Sequence, residues 1–123
     1  MSDTKLFPKV ALYRATGLIG APVENSKGEP LGRIEDLILD PGEGRLAAAV
    51  LATNAFPGLG GPLTAVPVSA LAYDEASGKF ILDVDPETLR SAPAFDRKEW
   101  PELLDRVWAA EVYAHFGFPQ YWQ

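Results

Sequence analysis

Two acidic clusters are the first places where this chain could do chemistry. Glu35 and Asp36 interrupt the apolar run 31-LGRIEDLILDPGEG-44, and Asp83, Asp85 and Glu87 cluster around Pro86. Paired carboxylates can share acid and base duties or hold a divalent cation through oxygen. Neighbouring residues on a strand face opposite ways, however, so Glu35 and Asp36 meet in one cavity only if the strand is irregular there. The segment 83-DVDPETL-89 lacks the dense oxygen spacing and glycine bend of a calcium loop, and Asp85 reads as the cap of a short helical turn opened by Pro86. In 58-GLGG-61 a phosphate cradle is conceivable, but such a loop opens a helix, whereas Pro62 and the strand-like 64-TAVPVSA-70 follow. A barrel corner with a positive φ at Gly60 or Gly61 is the simpler reading. His115 is the single histidine. That leaves no histidine metal cluster, and a triad is possible only with Ser69 or Ser91. Near a helix C-terminus the imidazole complements the helix dipole instead. On these grounds no catalytic, cofactor or metal residue is assigned, and the chain is expected not to be an enzyme. The competing reading is a small carboxylate-based hydrolase or metal-dependent enzyme using Asp36, Asp83 or Asp85.

The elements that would carry these residues follow from punctuation. The turns 25-NSKG-28, 40-DPGEG-44 and 74-DEASG-78 each end on glycine. Strand-like runs lie around Ala21 to Glu24, Leu31 to Leu39, Arg45 to Ala52, Ala65 to Val68 and Lys79 to Val84, a spacing that favours a barrel or sandwich. Ile34 and Leu37, three apart, cannot share a face of a regular strand. A β-bulge near Glu35 and Asp36 would shift the phase, and a buried Asp36 could then accept the N–H groups left unpaired there. The plainer alternative is a strand covered on both faces, with Ile34 and Ile38 packed under another element.

Composition narrows the rest. A chain of 123 residues suits one domain with its own core. The absence of cysteine excludes disulfides, thiolate zinc and cysteine nucleophiles. A net charge of −6 with scattered cations argues against direct contact with a nucleic-acid backbone. The first residues hold no apolar stretch suited to a signal peptide or membrane insertion, so a cytoplasmic location is expected.

Eight of the thirteen aromatics fall after Pro93. The segment 96-DRKEWP-101 is expected to form a preliminary turn, and Asp105 to cap a helix from about Arg106 to His115, stopped by Gly117. Leu104, Trp108 and Val112 make one apolar stripe, and Val107, Ala110 and Ala114 a neighbouring one. This is more apolar surface than one barrel flank needs, and it points to a partner chain, with Trp100, Trp108, Val112, Tyr121 and Trp122 as interface candidates and a homodimer as the expected state.

The pattern 18-LIGAPVENSKGEPLGRIEDLILD-40, the strand 46-LAAAVLA-52, the loop 57-PGLGGPLTAVPVSAL-71 and the closing 81-ILDVDPETLRSAP-93 resemble the PRC-barrel family, over about residues 16 to 93. This small β-barrel occurs at the C-terminal end of the photosynthetic reaction-centre H subunit and of a ribosome maturation factor, and in stand-alone bacterial proteins. The tail 95-FDRKEWPELLDRVWAAEVYAHFGFPQYW-122 resembles the extension of the stand-alone members. The resemblance is carried by Ile19 with Gly20, by Gly28, by Gly32 with Asp36, and by Val66 with Pro67. It implies an all-β small barrel, closed or partly open and of six or so strands, preceded by an N-terminal segment (1–15) and followed by a C-terminal α-helical, aromatic extension (94–123). It also implies a non-catalytic interaction or scaffold role without cofactors, exercised on a protein partner whose identity is open, with an accessory role in RNA processing through protein contacts as the alternative.

Overall fold

The computed structural model describes residues 11–53, 62–102 and 104–122. Its strands are β1 (Pro22–Glu24), β2 (Pro30–Asp40), β3 (Arg45–Thr53), β4 (Leu63–Pro67), β5 (Leu71–Asp74), β6 (Lys79–Leu82) and β7 (Ala94–Phe95). The helices are α1 (Ala15–Leu18), α2 (Pro86–Arg90) and α3 (Arg106–Phe116), with a 3-10 turn at Val68–Ala70. One seven-stranded sheet runs β5-β6-β1-β2-β3-β4-β7, antiparallel except for the parallel pair β1 with β6. The barrel class is as expected, but among the described residues the sheet is not closed by a ladder between β5 and β7, and it holds seven strands instead of six. β5 and β7 are too short to give a sequence period, and α1 carries no side-chain cap. The expected corner at Gly60 or Gly61 lies outside the described residues.

The turns form where their residues demand. Asn25, buried in the β1–β2 turn, accepts N–H bonds from Lys27 (3.0 Å) and Glu29 (2.9 Å) with Oδ1, and Gly28 closes the turn at φ 81°. The following hairpin brings β2 against β3, and here the phase shift is resolved. Ile34 pairs with Leu51 and Asp36 with Val50, so Glu35 is an extra residue in β2. The bulge puts Ile34 and Leu37 on one face, in a cluster with Val23, Leu31, Leu51 and Leu82, and turns Ile38 to the other. Both sequence-based explanations therefore operate, with the correction that Ile34 and Ile38 lie under different elements.

β3 is covered on both sides. Ala49 and Leu51 join the first cluster, while Ala48, Val50 and Ala52 face α3 and the C-terminal tail together with Leu63 and Ala65. Gly32 of β2 sits against this strand with φ 152°, and a Cβ there would stand 2.3 Å from the Ala52 carbonyl oxygen. No side chain fits this crossing.

Candidate functional site

The tail packs its helix and its aromatic side chains on β3 and β4. Asp105 caps α3 by accepting from Val107 N (3.1 Å) and Trp108 N (3.0 Å), and Gly117, left-handed at φ 74°, ends it. The buried stripe is Ala109, Val112 and Tyr113, flanked by half-buried Trp108 and Phe116. The expected companion stripe is corrected: Val107 is 72% exposed and Ala114 is also exposed. Tyr113, which the period did not single out, is the tail's deepest large side chain.

Tyr113 also does the one thing a buried phenol must, which is to find a partner. Past Ile38 paired with Ala48, Leu39 pairs with Leu46, so Ala47 is an extra residue in β3. The Tyr113 hydroxyl donates to the Ala47 carbonyl at 2.6 Å. A second irregularity in the sheet is thus answered by the tail. Burial pushes the Tyr113 pKa up, against the smaller opposing influence of the Arg45 charge and the Ser69 side chain.

At the β2–β3 turn, Asp40 gathers the charged part of the site. Its Oδ2 accepts from the Tyr121 hydroxyl (2.6 Å) and from Arg106 (3.0 Å), and its Oδ1 from Glu43 N (3.2 Å). The Tyr121 bond foremost holds the Asp40 carboxyl below the usual carboxylate range, against the opposing pull of desolvation. Burial first, then the same bond, pushes Tyr121 up to about 12. The Arg45 guanidinium lies over the Tyr121 ring at 4.0 Å, and Arg106 over the Trp122 ring at 5.5 Å. Trp122 packs edge-on against both tyrosines and is only 8% exposed.

Each acid singled out from the sequence has a structural partner within the chain. Glu35 pairs with Arg97 at 2.6 Å, whereas Asp36 accepts from Leu37 N at 2.8 Å. The bulge is present, but Asp36 is exposed, correcting the expectation of a buried acceptor, and the two carboxylates take separate partners. Asp83 accepts from the Ser26 hydroxyl (2.8 Å), Asp85 caps α2 through Thr88 N (2.8 Å), and Glu87 pairs with Arg90 (2.8 Å). Among the described residues no three His, Asp or Glu side chains stand together as a metal site. His115 Nε2 lies 3.0 Å from the Thr88 carbonyl, to which the Ser91 hydroxyl also donates at 3.0 Å. A carbonyl only accepts, so Nε2 carries its proton there and is not a base toward Ser91.

The other residues carrying the resemblance are backbone devices. Gly20 N donates to the Ile34 carbonyl at 2.7 Å, beside the bulge, and Ile34 N donates to Ala21 O at 2.9 Å. Pro67 ends β4 opposite Ala48 and is fully buried. Of the interface candidates, Val112 and Trp122 are buried on the chain's own sheet, while Trp100, Trp108 and Tyr121 remain half-buried. Leu39, 62% exposed on β2 beside this group, escaped sequence reasoning because strand alternation does not say which face a second layer leaves bare. No helix among the described residues is long and apolar enough to cross a membrane.

The family model described as PRC-barrel domain matches residues 11–89. Among solved structures the chain is similar to a candidate 16S ribosomal RNA processing protein, RimM, from Pseudomonas aeruginosa, with 21% identity and a TM-score of 0.44. That likeness covers 66% of this chain and 49% of the other, so the chain spans about half that protein's length. No curated protein matches.

Proposed function

Because the chain belongs to the PRC-barrel domain family, we propose that it is a non-catalytic interaction module, acting in a reducing compartment such as the cytoplasm by contact with another protein. One observation carries this reading. The acids that could have formed a reaction cleft, Glu35 and Asp36 above all, take separate structural partners, Glu35 the Arg97 guanidinium and Asp36 the N–H of Leu37. A part in ribosomal RNA processing, which the family resemblance implies, would run through protein contact as well, since a net charge of −6 opposes a phosphate backbone.

The test combines thermal scans with binding. Magnesium, calcium and manganese are each expected to leave the melting temperature unchanged, because a ligand that binds only the folded state would raise it. A protein captured by the immobilised chain, once purified, is expected to form a stoichiometric complex with it by calorimetry. A metal-dependent rise in Tm accompanied by hydrolytic turnover would replace the module with an enzyme.

A further inference from the structure

Six large apolar side chains are exposed among the described residues, and three of them, Leu39, Leu104 and Val107, belong to the corner where the β2–β3 turn meets the start of α3. Leu39 and Leu104 line one hollow of about 200 Å³ that also reaches Ile38, Pro41 and Trp108. Val107 is 72% exposed in the first turn of α3, three residues after Leu104. Soluble proteins rarely leave such clusters bare without a use for them.

The charges around the hollow identify the occupant. Asp40 and Arg106 line it, Glu43 stands 3.9 Å from Arg106, and Arg45 lies over Tyr121, another lining residue. Asp105 also lines it, but its Oδ1 is engaged in capping its own helix. Two acids and two bases therefore frame the apolar corner. A basic partner would meet Arg45 and Arg106, and an acidic one Asp40 and Glu43. A surface carrying both signs side by side is complementary to itself under a two-fold rotation, where residue i meets j and j meets i. No carboxylate among the described residues lies within ion-pair distance of Arg45, and the contact of Glu43 with Arg106 is long, so both retain capacity for a partner. A stable dimer needs about 800 Å² from each copy, about a tenth of a small protein's surface, and the whole chain exposes 7941 Å².

We propose that this corner is the contact between two copies of the chain, with Leu39, Leu104 and Val107 at its centre and Glu43 of each copy facing Arg45 of the other. The proposal rests on the interaction-module reading and names its first partner. Light scattering on the full chain is expected to give a dimer at micromolar concentration. Val107→Glu, at a largely exposed site, is expected to weaken the dimer roughly tenfold or more. Glu43→Arg and Arg45→Glu, each folded with a near-native melting curve, are expected to be monomers alone and to form a heterodimer when mixed, because only the mixture restores unlike pairs at both ends of the two-fold. A wild-type chain that stays monomeric to submillimolar concentration overturns the proposal, as does a dimer indifferent to all three substitutions. A monomer whose Val107→Glu variant loses a captured foreign protein assigns the corner to that protein instead. Each of these outcomes removes the proposed contact at this corner and leaves the module reading standing, since that reading falls to metal-dependent turnover.

Discussion

Replacing Tyr113 by Phe removes one oxygen and tests whether the tail completes the sheet or merely covers it. The hydroxyl donates to the Ala47 carbonyl at 2.6 Å, in the strand irregularity where the β2–β3 register slips. Tyr113 is 2% exposed and Ala47 7%, so water cannot take over the bond. The ring of Phe fills the same space, which excludes a cavity term and leaves the lost hydrogen bond and a buried carbonyl that has lost a donor. Together these cost about 1–2 kcal/mol, a fall in Tm of roughly 3–10 °C for a chain of this length. Urea unfolding followed by tryptophan fluorescence should show a lower midpoint with an unchanged slope, since no additional surface is exposed. Tyr121→Phe is the control: its ring is half-buried, its partner Asp40 keeps Arg106 and Glu43 N, and the cost should be about 0.5–1 kcal/mol. Equal midpoints for wild type and Tyr113→Phe would refute the argument, because they would mean that the Ala47 carbonyl is satisfied without the tail.

Three further outcomes follow from the same geometry. Gly32→Ala must place a methyl 2.3 Å from the Ala52 oxygen and should destabilise beyond the roughly 0.5–3 kcal/mol of ordinary substitutions, seen as loss of soluble protein or of a cooperative melt. Asp105→Ala removes both cap bonds of α3 and should cost about 0.5–2 kcal/mol, with a matching loss of helical circular dichroism on mild heating. Tyr121 is held neutral by the fold, its pKa raised from 10.0 to about 12, so its contribution is complete below pH 10 and is lost as pH climbs toward 12; Tyr121→Phe should flatten that part of the alkaline decline in Tm.

The residues differ in how openly they announce these roles. The bulge was legible because Ile34 and Leu37 violate a period of two, and a violated period is a local fact about one strand. Caps and turn glycines were legible for the same reason: Asp85, Asp105, Gly28 and Gly117 act within four residues of themselves. β5 and β7, of four and two residues, are too short for any period to emerge, and they exist through their neighbours in the sheet. The Asp40–Tyr121 bond joins residues 81 positions apart, and the Tyr113–Ala47 bond residues 66 apart. No local pattern marks such pairs. The helix stripes failed in an instructive way, since two were visible and only packing could decide which residues the sheet covers: Ala109, Val112 and Tyr113 are buried, whereas Leu104 of one stripe and Val107 and Ala114 of the other are exposed.

That decision can be traced to the sheet itself. Toward the tail, β3 and β4 present Ala48, Ala52 and Ala65 beside Val50 and Leu63, a surface in which small side chains leave room. Large residues can approach such a surface closely, and here Tyr113, Val112 and Trp122 do so. The opposite face carries Leu31, Ile34, Leu51 and Leu82, and these fill their own layer. The aromatic tail is therefore the missing half of the core on the alanine side, and its burial is already accounted for within one chain. Leu39, Leu104 and Val107, exposed beside that fit, are not needed to complete it, and the proposed contact between copies is therefore placed on them and not on Val112 or Trp122.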